Sequence, residues 1–114
     1  MKLSDLKTML QIKQDDTKRD NILNLIIKNT TSALSFKLGL KDDTNVPSEL
    51  DFILLEVAVK RYNRLANEGM SSYSQEGQSI TFSTNDFDEF ANDIANWKDE
   101  NSVKDNNSGA FLFI

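Results

Sequence analysis

The sequence predicts a mainly α protein: a small bundle of three main helices plus a short N-terminal helix, with a long loop leading to a short β-strand or hairpin and an extended C-terminal tail. Two observations carry that expectation. Apolar residues recur at three- and four-residue steps in four stretches, the spacing of one helix face. Start and stop signals bracket those stretches, whereas only one short segment alternates with the period of a strand. At 114 residues the chain fits a single domain, expected over 1–100 with helices near 3–11, 17–38, 48–67 and 86–98 and a loop at 69–85. Residues 101–114 are expected to form a linker and an apolar docking segment.

Leu3, Leu6, Met9 and Leu10 mark the opening helix. Thr17 and Asp20 fit a capping box, in which each side chain satisfies a free backbone amide at the start of a helix. Ile22, Leu23, Ile26, Ile27, Thr30, Ala33 and Leu34 then form the inward face, and Gly39 supplies a left-handed stop after Leu38. A turn-rich connection ends at Pro47, the only proline, and Ser48 with Asp51 repeats the capping pattern.

The next helix is apolar on nearly every face of its first half, at Leu50, Phe52, Ile53, Leu54, Leu55, Val57, Ala58 and Val59. Such a helix is normally enclosed. It is either the central core helix or one whose flank is buried against another subunit. Lys60, Arg61 and Arg64 lie in its second half, where the negative end of the helix dipole favours cations by about 0.3–1 kcal/mol each. That account suffices for them; on an acidic protein, three charges are a weak nucleic-acid signal.

Two of the four glycines, Gly69 and Gly77, fall in RLANEGMSSYSQEGQS, residues 64–79. Gly69 reads as a helix stop and Gly77 as preparation for the turn into SITFS, the one strand-like segment. The stretch between them, Met70, Ser71, Ser72, Tyr73, Ser74, Gln75 and Glu76, is polar and long, and is expected to be an interaction surface. Phe87, Phe90, Ala91, Ile94 and Trp97 form the apolar stripe of the last helix, with Asp86 and Asp88 suited to its positive dipole end. The tail residues Phe111, Leu112, Phe113 and Ile114 are expected to dock, either along SITFS or onto a partner by strand addition.

Composition narrows the chemistry. With no cysteine there are no disulfides or thiolate metal sites, and with no histidine the commonest general base and metal ligand are missing. A net charge of −5 argues against tight binding of nucleic acid. No segment approaches the ~20 apolar residues of a membrane span, and the N-terminus lacks a continuous apolar core of signal-peptide type, so a cytosol-like compartment is expected. There is no glycine-rich phosphate cradle. Asp42–Asp43 and the D-x-D of Asp86 and Asp88 are expected to be structural or solvated, without a metal or catalytic role.

The order of elements then matters more than any single residue. A helix ending Tyr62-Asn63-Arg64 through Glu68-Gly69 is followed by Ser71-Ser72, Glu76-Gly77 and SITFS, then DFDEF leading to IANWKDEN, then GAFLFI. This resembles, over nearly its full length, the small head–tail connector (adaptor) proteins of long-tailed bacteriophages. The resemblance implies a mainly α-helical structural protein of the virion, assembled in the bacterial host cytoplasm, with no catalytic activity, cofactor or membrane association. It implies a ring, typically dodecameric, built under the portal protein from subunits that can be monomeric when free. That ring extends the DNA channel and docks the next stopper or tail protein. Residues 70–76 and 111–114 become the candidate contacts. On the residues alone, two other classes stay open: a small acidic helical regulator that binds a host or phage protein, and a carboxylate-dependent enzyme.

Overall fold

A computed structural model describes residues 1–42, 46–68 and 84–105. Four α-helices account for most of them: α1 (Leu3–Met9), α2 (Asp20–Leu38), α3 (Asp51–Glu68) and α4 (Ala91–Asp105). A 3₁₀ turn at Ser48–Leu50 leads into α3, and a 3₁₀ helix at Thr84–Phe90 leads into α4. The mainly α expectation therefore holds, with no strand among the described residues. SITFS and the apolar tail lie outside them, as do Gly69 and Gly77.

Helix α3 is the centre of the fold. It packs against α2, against α1 and against the 3₁₀ helix Thr84–Phe90. Ile53, Leu54, Val57 and Ala58 are fully enclosed. The protomer itself therefore covers most of the apolar surface that left two readings open. Leu55 and Val59 are half-buried, and Phe52, which stays 44 % exposed, meets the Phe90 ring edge to face at 5.9 Å.

The core has two lobes along α2. Leu6, Ile22, Leu23, Ile26 and Ala58 make one, where α1 meets α2 and α3. Leu34, Leu38, Leu50, Ile53, Leu54, Val57, Phe87, Phe90 and Ile94 make the other, which seats the start of α4. Trp97 closes the second lobe and donates its indole N–H to Glu49 Oε2 at 3.3 Å, tying α4 to the turn before α3.

The ends of α2 follow different rules from each other. Its C-terminus behaves as expected: Gly39 has φ +76°, its N–H bonds to the Phe36 carbonyl, and the Leu40 N–H reaches back to the Ser35 carbonyl, both at 3.0 Å. This is a Schellman closure, with Leu40 packed on the second lobe. At the N-terminus the expected capping box does not form. The helix starts at Asp20, whose N–H takes the Thr17 carbonyl at 3.2 Å, while its carboxylate sits 2.7 Å from Lys7 Nζ. Lys7 is only 2 % exposed, and a buried ammonium needs a counter-charge more than an amide already satisfied by a turn. Lys7 also donates to the carbonyls of Gln14 (3.1 Å) and Asp16 (2.8 Å), so it organises the whole α1–α2 connection.

Other boundaries shift. Met9, expected in the apolar face of α1, is 52 % exposed, because it lies about 110° round the helix from the buried Leu6 and Lys7 side. The last helix opens as a 3₁₀ segment and runs on to Asp105, so residues 101–105, expected as linker, are helical.

Candidate functional site

The densest polar construction among the described residues joins α3 to the segment that precedes α4. Arg61 lies on the buried side of α3, one turn beyond Val57, and is 3 % exposed; Asp86 is 4 % exposed. Arg61 Nε donates to Asp86 Oδ2 at 2.9 Å. Arg64, one turn further on, makes a two-pronged contact, Nη1 to Oδ1 at 2.8 Å and Nη2 to Oδ2 at 2.7 Å. Parallel paired bonds of this kind are the strongest and most directional that a carboxylate accepts.

The cluster extends to α2. Arg61 Nη1 donates to Asn29 Oδ1 at 3.0 Å and to Thr30 Oγ1 at 3.3 Å. Its guanidinium also lies 5.5 Å from the centre of the buried Phe87 ring, and Lys37 Nζ of α2 lies 5.6 Å from the same ring. Lys60 donates to the Asp86 carbonyl and to Glu89 Oε1, both at 3.3 Å. All three basic residues in the second half of α3 are thus committed to residues 86–89. The dipole account of Lys60, Arg61 and Arg64 is thereby corrected: a buried carboxylate outweighs a diffuse end-of-helix field. Asp86 likewise serves as their counter-charge and not as a dipole partner for α4.

Electrostatics follow from this geometry. The Arg64 hydrogen bonds do most to hold the Asp86 carboxyl down, from an ordinary 3.8 to about 2; burial opposes them, and Arg61 reinforces them. Burial pushes the Arg61 guanidinium below its usual value, against the pull of Asp86. Asp86 is ionised at any physiological pH.

Topology gives this cluster its consequence. Arg64 is four residues before the end of α3, and Asp86 is two residues after Thr84. The clamp therefore joins the point where the chain leaves α3 to the point where it re-enters the described fold. Residues 69–83 connect these two points in the sequence. Candidate contacts Met70, Ser71, Ser72, Tyr73, Ser74, Gln75 and Glu76 lie in that span, outside the described residues, as do Phe111, Leu112, Phe113 and Ile114. An open cleft of about 270 Å³ lies beside the clamp, floored by Phe87, Ala91, Ile94 and Ala95 and edged by Lys37, Asp88 and Lys98. Among the described residues, no three acidic side chains converge as a metal site would require.

Compared with known families, residues 1–98 match phage gp6-like head-tail connector proteins. The chain belongs to that family. It is a structural component of the phage head–tail junction. No curated protein and no solved structure matches it. The matched span includes α1 to α3, the clamp, residues 69–83 and the first half of α4, and it ends at residue 98, inside α4.

Sequence reasoning missed the clamp for a definable reason. Leu50, Leu54, Val57 and Arg61 continue one stripe at steps of four, three and four residues, so the burial of Arg61 was readable. Its partner, 25 residues away, was not.

Proposed function

We propose that this connector assembles as a ring, dodecameric when complete, beneath the portal protein. There it extends the DNA channel and offers a docking surface to the next stopper or tail protein. The observation that carries the reading is the family match over residues 1–98. The fold supports it: a helical base, locked by Arg61, Arg64 and Asp86, anchors both ends of the 69–83 segment. Residues 70–76 and 111–114 are the proposed contacts with the portal, the next ring or the adjacent subunit. A net charge of −5 suits a channel through which DNA must pass without adhering.

The test is cosedimentation. Purified protein is mixed with tail-less heads that carry a portal and, in parallel, with shells assembled without one. The reading predicts pelleting with the portal-bearing heads alone. Equal recovery in both samples, or in neither, contradicts it, and tight retention of duplex DNA at physiological salt contradicts the channel assignment.

A further inference from the structure

Phe36 is 84 % exposed, the most exposed large apolar side chain among the described residues. It is not an isolated accident of the surface. At 100° per residue, Asn21, Leu25, Lys28, Ser32 and Phe36 fall within an arc of about 80° on α2. Asn21 and Lys28 are exposed, and Leu25 and Ser32 are half-buried. Its centre lies opposite the Ile22, Leu23, Ile26, Thr30 and Leu34 side that packs into the core, and Leu25 within it still packs against the first lobe. It has the composition of an interface: one aromatic anchor, one cation and small polar residues between.

What could cover it is indicated by charge. Residues 1–42 hold eight basic and five acidic residues; residues 84–105 hold two basic and seven acidic. The first third of the chain is therefore net positive and the last described segment net negative. On α4, Asn92, Asp93, Asn96, Asp99 and Glu100 are all exposed and span an arc of about 120°, with Lys104 of the last turn about 20° beyond its edge. The two helices are comparable in length, about 28 Å for α2 and about 22 Å for α4.

We infer that the outer stripe of α2, anchored by Phe36 and Lys28, seats on the acidic outer face of α4 in a second copy of this chain. The two surfaces differ, so the contact is heterologous: each copy offers one face forward and the other backward. Such contacts propagate, and they close into a ring when the rotation per copy allows. The inference rests on the ring reading and specifies which faces meet.

The chain has no cysteine, which makes cross-linking clean. Lys28→Cys protein is mixed with Asp93→Cys or Asp99→Cys protein and treated with a short bis-maleimide, both free at high concentration and on portal-bearing heads. Lys28→Cys mixed with Asn63→Cys, whose site on α3 is exposed and belongs to neither face, is the control. The mixed dimer is expected well above the control, and a chain carrying both Lys28→Cys and Asp99→Cys should give a ladder of oligomers. Phe36→Asp in the Lys28→Cys chain should lower the yield on the order of tenfold, as loss of an interface anchor does. Its melting temperature should stay unchanged, because the ring is solvent-facing. Raised salt should lower the yield as well. Yield no greater than the control, or unaffected by Phe36→Asp, overturns the contact even if the heads acquire protein. Cross-linking without any binding to heads would leave this contact standing and overturn the ring beneath the portal.

Discussion

Asp86→Ala is the sharpest single perturbation of this fold. It removes the carboxylate that pairs with both Arg64 and Arg61, the latter a guanidinium of 3 % exposure. Breaking a buried ion pair from one side costs about 3–5 kcal/mol. Arg61 keeps its bonds to Asn29 and Thr30, which places the expected cost near the low end, about 3 kcal/mol. Against a total of about 5–15 kcal/mol for a small domain, that is a large fraction. Arg64→Ala should cost less, roughly 1–2 kcal/mol, because Arg64 is one-third exposed and Asp86 retains Arg61. Urea unfolding followed by Trp97 fluorescence and far-ultraviolet circular dichroism measures both. The same cluster fixes a pH dependence. The Asp86 carboxyl titrates near 2 when folded and near 3.8 otherwise, so its contribution is complete above about pH 4 and disappears as pH falls towards 2. That lowering corresponds to roughly 2 kcal/mol. The stability gap between wild type and Asp86→Asn should therefore narrow by about that amount between pH 4 and pH 2. A loss below about 1 kcal/mol for Asp86→Ala, or a gap that does not change over that interval, would refute the reasoning.

Other expectations concern single parts. Lys7→Met keeps the packing volume but strips Asp20 of its counter-charge and two carbonyls of their donor, so stability should fall by about 2–4 kcal/mol in the same unfolding assay. Gly39→Ala meets no atom within 4 Å, so its cost is the left-handed backbone alone, about 1 kcal/mol, with Gly39→Asn milder. Deleting residues 110–114 should leave the melting temperature of the helical core unchanged while lowering cosedimentation with portal-bearing heads; a clear drop in melting temperature would instead make that segment part of the protomer's own core.

How much of this was legible follows from which signals are local. The four helices were readable because Leu23, Ile26, Thr30 and Leu34, and likewise Leu50, Leu54 and Val57, repeat at helical steps, and burial follows that repeat. Gly39 was readable because a left-handed stop has one cheap residue. The Thr17–Asp20 box failed because a residue on another helix, Lys7, competed for the carboxylate. Lys7 sits four residues after Leu3 and three before Leu10, inside the apolar stripe, so its burial was visible in the spacing even though its partner was not. The same holds for Arg61 and Asp86. Periodicity tells which side chain goes inward; which charge meets it there is a tertiary fact, set by how α3 and the 84–90 segment approach each other. Of the candidate contacts, residues 70–76 now have a described base on either side, whereas residues 111–114 rest on their apolar character alone.

The central claim, a ring under the portal, is tested most directly by electron microscopy of the portal vertex. Tail-less heads are imaged before and after addition of the purified protein. The account predicts an added annulus of density beneath the portal, coaxial with the DNA channel and composed of repeated copies of the four-helix core. Unchanged vertices after saturating addition, or density scattered over the shell with none at the portal, would contradict it.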